Sequence, residues 1–208
     1  NNTTDATALR QYVVSLSPTQ VGAPVFPNIL SSPVPLVTLP NLTTMDRNLQ
    51  NAVSRQLSAE VEQQLGERMT VSAGYEYLKG TGLLMSINQN VPTCVASGNN
   101  NGCRPVSTYA NNSQYSAAGT STYHGLLLSW TERTSRFGQY RVSYTLSKGM
   151  NNVGEAFFSS PIDPTDLSKD WGRSDNDQRH RLVANGSFQL RAVQFGGTLL
   201  AYSAPPFN

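Results

Sequence analysis

From Asn51 onward, apolar and polar residues alternate along most of the chain with a period of two. Val53, Leu57, Ala59 and Val61 alternate with Ser54, Gln56, Ser58, Glu60 and Glu62, Arg55 being the exception on the apolar side. After the turn signal Leu65-Gly66-Glu67-Arg68, Met69, Val71, Ala73, Tyr75 and Tyr77 alternate with Thr70, Ser72, Gly74 and Glu76. Successive side chains of a strand point to opposite faces, so these two runs predict a hairpin with one apolar and one polar face. The segment SAEVEQQL holds good helix formers, but the period of two and the matching partner run favour strand. Further on, Thr122, His124, Leu126, Leu128 and Trp130 alternate with Tyr123, Gly125, Leu127, Ser129 and Thr131. Past a short turn over 132–138, Tyr140, Val142, Tyr144 and Leu146 alternate with Arg141, Ser143, Thr145 and Ser147. Finally His180, Leu182, Ala184, Gly186, Phe188 and Leu190 oppose Arg181, Asn185, Ser187 and Gln189, with Val183 the exception. Arg191-Ala192-Val193 then leads into a last strand that ends near Tyr202.

The connections sort by length. Three hairpins with short turns near 66, 135 and 192 are joined by long polar stretches over about 88–114 and 149–179. Short turns at one end and long loops at the other are the asymmetry of an outer-membrane barrel. Strands of about ten residues cross a bilayer when tilted by roughly 45°. Tyr75, Tyr77, Trp130, Tyr140 and Phe188 lie near strand ends on the apolar side, as an interfacial girdle would. The expected fold is therefore all-β: antiparallel strands of a large transmembrane barrel, present in part, with long extracellular loops and short periplasmic turns. Residues 1–50, punctuated by Pro18, Pro24, Pro27, Pro33, Pro35 and Pro40, are expected to form an irregular, loop-rich segment. Residues 51–208 are expected to supply about six strands in three hairpins. A soluble β-sandwich also alternates, but its turns need not sort by length.

Composition narrows this further. Charged residues are 13% of 208, about half the roughly 25% of soluble domains. A net charge of +2 with no basic, aromatic-interleaved cluster argues against a nucleic-acid partner. Apolar runs such as Leu126-Leu127-Leu128 are far too short for a membrane helix, whereas a membrane barrel is mildly polar on average. The chain begins at Asn1 without an initiating Met and stops just after an apparent strand, which reads as an internal fragment.

Candidate chemistry is sparse. Eight residues separate Cys94 from Cys103, a spacing that fits no zinc site, and a disulfide closing a small loop is expected. The stretch from Asp163 to Leu190 carries five aspartates and then Arg179-His180-Arg181. Asp175, Asp177, Arg179, His180 and Arg181 are expected to form a structural charge network that pins the loop where it meets the strand. A Ser-His-Asp arrangement around His180 is the enzymatic alternative; there is no GxSxG elbow, and no enzyme is expected. The aspartates of 163–177 lack the order of a calcium loop and no Gly-rich phosphate cradle occurs, so no metal and no cofactor are expected.

The segments YRVSYTLSKGMNN, DPTDLSKDWGRSDNDQRHRLVANGSFQL and GGTLLAYSAPPFN resemble successive pieces of the Oar-like TonB-dependent receptors, whose plug often follows a carboxypeptidase-regulatory-like domain. FPNIL and the stretch from Asp46 to Pro92 look like the preceding part of the same barrel, so the resemblance covers Phe26 to Asn208. Its most specific residues are Gly172, Ser174, Asp175, Asp177, Gln178, Arg179, His180 and Arg181. The chain departs from the family pattern at Asn176, where an aromatic is common, and at Asn151-Asn152, where acidic residues are usual. The resemblance implies a partial barrel of an energy-coupled transporter, with a plug domain and a TonB-type coupling protein as partners beyond this sequence. The function expected is movement of a bulky, unidentified ligand across the outer membrane of a Gram-negative-type bacterium, with outer-membrane lipid around the barrel. The alternatives are a secreted or surface-displayed β-rich binding module and a passive porin.

Overall fold

Alternation becomes hairpins wherever a short turn brings two matching runs together. In the computed structural model, which describes residue 39 and residues 41–94, 100–135, 138–154 and 160–206, strand β1 is Leu42–Met45, β2 is Val53–Leu65 and β3 is Met69–Asn88. Gly66 turns β2 into β3 at φ 69°, a left-handed conformation that glycine adopts without steric cost. Pairing runs from Val53↔Thr81 to Leu65↔Met69. That register puts Leu57, Ala59 and Val61 beside Tyr77, Tyr75 and Ala73 on one face. Glu60 and Glu62 fall on the other face, where Gln56 donates to Glu76 at 2.6 Å.

Strand β4 (Asn112–Ser135) pairs with β5 (Gly138–Asn151) from Ser121↔Asn151 to Glu132↔Tyr140, with an irregularity between Glu132 and Ser135. The short strand β6 (Gly172–Arg173) and the long β7 (His180–Leu190) both pair antiparallel with β5. Strand β8 (Val193–Tyr202) closes the third hairpin on β7. The order across the sheet is β2-β3-β4-β5-β7-β8, with β6 also on β5 and β1 parallel to β4 over Asn112–Tyr115. No α-helix occurs among the described residues; 3-10 turns form at Asn100–Cys103 and Leu167–Asp170. Gly138 is required by close packing, because a Cβ there, at φ 129°, would meet the Ser187 carbonyl oxygen at 2.0 Å.

One expectation changes. Strands β3 and β4 run to 20 and 24 residues rather than about ten. Beyond Tyr77 the period of two is interrupted by Gly80, by Gly82 at φ 68° and by the run Leu83-Leu84-Met85, so the continuation gave no alternation to read. Backbone pairing carries the strand where the side-chain pattern does not. The section expected to be irregular, 1–50, lies mostly outside the described residues, and its described end holds β1.

The chain divides into two compact units, one of residues up to Leu49 with Ser86–Ser116, the other of Gln50–Met85 with Ala117–Asn208. Ser86, Ile87, Asn90 and Ser116 are buried in the first, Met85, Ser147, Val153 and Asp177 in the second. Among the described residues, most of the sheet in the second unit has no second layer. Leu57 is 65% exposed and Val61 73%, and Phe195, Leu199 and Leu200 are exposed too.

Candidate functional site

The register assigns every paired residue of the second unit to a face. The apolar face carries Leu57, Tyr75, Leu126, Leu128, Trp130, Val142, Leu146, Leu182, Phe188, Phe195 and Leu199. Its lower end, toward the short turns, has the stacked rings of Phe188 and Phe195, 5.1 Å apart, together with Trp130 and Tyr140. Toward the long loops it carries Tyr75 and Tyr77 around His124, and Tyr144 against His180. Each histidine Nδ1 lies 2.7 Å from a tyrosine hydroxyl, Tyr75 for His124 and Tyr144 for His180.

The opposite, polar face holds a cavity of about 600 Å³. Its walls include Ser54, Leu78, Ser121, Tyr123, Leu127, Thr145 and Ser147 from the strands, and Asn176, Asp177 and Gln178 from the loop before β7. Arg181 lines it from the start of β7. Hydroxyls, amides and one guanidinium around apolar side chains give a surface that hydrogen-bonds a polar ligand while covering its apolar parts.

Asp177 anchors that loop. The turn Ser174-Asp175-Asn176-Asp177, closed by an Asp177 N–H to Ser174 carbonyl bond of 2.8 Å, interrupts the chain between β6 and β7. Across the interruption, Gly149 of β5 keeps both of its backbone bonds: its carbonyl accepts from the Ser174 N–H at 3.0 Å, and its N–H donates to Asp177 Oδ1 at 2.8 Å. The carboxylate thus stands in for a strand carbonyl. Asp177 Oδ2 accepts from Arg173 Nε at 2.8 Å and Arg179 Nε at 3.1 Å. Ser147 donates its hydroxyl to the Gln178 carbonyl at 2.8 Å. Burial, with 3% of Asp177 exposed, pushes its carboxyl pKa up, but the Gly149 N–H and the two guanidinium groups outweigh this and hold it below the usual value.

Of the five residues expected to form one network, the structure brings Asp177 and Arg179 together and adds Arg173. His180 and Arg181 lie elsewhere: as successive residues of β7 they point to opposite faces, His180 to Tyr144 and Arg181 to the cavity. Asp175 sits exposed in the same turn. The spacing of four from Arg173 to Asp177 was the available signal for the missing partner. The histidine and aspartate weighed for a catalytic triad are engaged separately, the ring by Tyr144 and the carboxylate by Gly149, Arg173 and Arg179. Upstream in the loop, Asp163 is held well below the usual carboxylate range by Lys169 and then Thr165, and Asp166 is lowered by Ser168.

In the first unit, the long loop is organised around a disulfide and a neutral amide. Cys94 and Cys103 form a disulfide. Asn90, 1% exposed, donates its side-chain amide to the carbonyls of Val106, Tyr109 and Ala110 at 2.9, 3.0 and 2.7 Å and accepts from the Val106 N–H at 2.9 Å. Asn88 accepts from the Asn90 and Asn112 N–H groups at 3.0 and 3.1 Å, and Arg104 donates to the Asn90 carbonyl. No sequence expectation included Asn90; an asparagine-rich stretch was its only cue, because its partners are backbone groups.

Among solved structures, the outer membrane transporter YddB from Escherichia coli matches with a TM-score of 0.58 and 14% sequence identity. The alignment covers 81% of this chain and 22% of that one, so the chain spans about a fifth of the transporter's length. At that identity the likeness is one of fold. No curated protein sequence matches. The family profile of the outer membrane beta barrel domain matches residues 1–201, nearly the whole chain, and in keeping with the split of its sheet into an apolar and a polar face, this chain belongs to that family and to the outer membrane.

Proposed function

We propose that this chain is part of the barrel of a TonB-dependent transporter of the Oar-like kind, which moves a bulky substrate across the outer membrane. The apolar face contacts lipid. The polar face lines the conduit, and the Asp177-anchored loop borders its cavity. The observation that carries the reading is the cavity on the polar face beneath the Asp177-anchored loop, with Tyr123, Arg181, Asn176 and Gln178 available to a polar ligand. The resemblance of the segment from Gly172 to Arg181 to the energy-coupled family supplies the finer assignment. A soluble two-sheet module would bury its apolar faces against each other, whereas Leu57, Val61 and Leu199 are open on a single sheet. In lipid every backbone polar group needs a partner, so β2 and β8, at the two ends of the strand order, require further strands to complete the wall.

Planar-bilayer conductance of the intact protein tests the transporter against the porin. A plugged transporter stays closed until its plug is unfolded with denaturant, and the protein binds the periplasmic domain of a TonB-type coupling protein. Steady open conductance together with failure to bind that domain would replace this reading with a passive porin.

A further inference from the structure

We propose that the apolar face carries, along its long-loop border, a binding rim for the phosphate groups of anionic membrane lipids. Arg55 of β2 and Lys79 of β3 are direct cross-strand partners on that face, and so are His124 of β4 and Lys148 of β5. His180 of β7 follows one step lower, opposite Leu146. All five are exposed. Among the described residues no ion pair involves Arg55, Lys79 or Lys148. The acids of the same strands are placed elsewhere: Glu60, Glu62 and Glu76 lie on the polar face, and Glu132 lies at the opposite border beside Tyr140.

Like charges set directly across a ladder repel, so Arg55–Lys79 is an unfavourable neighbour pair until an anion sits between them. The position of the row identifies the anion's source. Ser187, next to Phe188, pairs with Gln139, and His124 pairs with Lys148, so about ten residues of β5 separate the lower aromatic row from the cations. At about 3.4 Å per residue and a tilt of roughly 45°, that is about 25 Å of height, the thickness of a barrel's apolar band. The cations therefore stand where headgroups begin, with Leu57, Tyr77, Leu126 and Leu146 at or just below them to receive acyl chains. Long basic side chains at such a border reach outward to phosphate while their stems stay in the apolar layer. The tyrosine hydroxyls at 2.7 Å from Nδ1 fix both histidine rings and leave Nε2 as the remaining polar atom of each. A free anion would have no use for the apolar rows, so the ligand is a lipid.

The test uses the intact protein in detergent, titrated with phosphatidylglycerol or phosphatidylcholine and read by native mass spectrometry, beside R55Q/K79Q/K148Q and the polar-face control R141Q. Each basic residue near an anionic surface contributes about fivefold, so the triple variant should bind phosphatidylglycerol about a hundredfold more weakly, with R141Q unchanged. Equal retention by the triple variant, equal binding of phosphatidylcholine, or full competition by inorganic phosphate at matched concentration would each overturn the proposal. Unboiled gel mobility reports whether the triple variant folds. If it does not, K148Q alone should show about a fivefold loss, and no loss would count against the rim.

Discussion

The two long loops solve one problem with different chemistry. The loop between β3 and β4 is held by a covalent link and by the neutral amide of Asn90, which bonds backbone groups of three residues. The loop between β5 and β7 is held by ions: Asp177 gathers two guanidinium groups and a strand N–H. A buried neutral hub loses nothing when pH or salt changes. A carboxylate hub confers its stability only while it is charged. The first loop is therefore sensitive to reductant and the second to acid.

Replacing Asn90 should have the largest effect. Asn90→Ala leaves the Val106 N–H and three carbonyls without their partner in a buried setting, at a cost of about 3–5 kcal/mol of local stability. Hydrogen exchange over 86–116 should accelerate by more than about a hundredfold while 172–179 keeps its rate; equal acceleration of both would erase the distinction. Next comes Asp177→Ala, at about 3 kcal/mol. The arginines it leaves behind are about 40% exposed and partly solvated, which keeps the loss below that of a fully buried pair. Asp177→Asn should retain about half of the stability, since the amide oxygen still accepts from Gly149, and a result as severe as the alanine would assign the effect to charge alone. Opening the disulfide should cost the first loop about 2–3 kcal/mol and the second nothing measurable, judged by protease nicking of intact protein with and without reductant.

Acid should give the smallest effect and the cleanest separation. Because the Asp177 pKa is lowered in the folded protein, its stabilisation is fully present above the ordinary value of 3.8 and is lost as pH falls from there through the lowered value. Exchange protection of 172–179 should weaken only below pH 3.8, with 86–116 unaffected. Weakening already at pH 5–6 would point to a group other than this carboxylate.

The strands were legible because alternation is a local signal. The faces of β2, of β7 and of the β4–β5 pair follow the sequence residue by residue, with Arg55 among apolar neighbours and Val183 among polar ones. The far halves of β3 and β4 were not: β3 continues through Gly82 at φ 68°, and the first residues of β4 are held by pairing with β1 rather than by a repeating pattern. At the site, the acidic-basic segment before β7 advertised a network, and the period of two alone separates His180 from Arg181. What the sequence did not show is that the carboxylate of Asp177 takes a carbonyl's place on Gly149, because that depends on where a turn leaves and rejoins the ladder.

That substitution has a consequence for how such a wall can change over time. The chain leaves the end of β5 after Asn151, and β6 brings it back to Met150 and Asn151 of the same strand. The excursion over 152–171 begins and ends at one doorway, and Asp177 bolts the frame behind it. Past Asn152, which is bonded to Thr120 of β4, and the buried Val153, changes of length within that excursion should leave the register of β5 on β7 fixed.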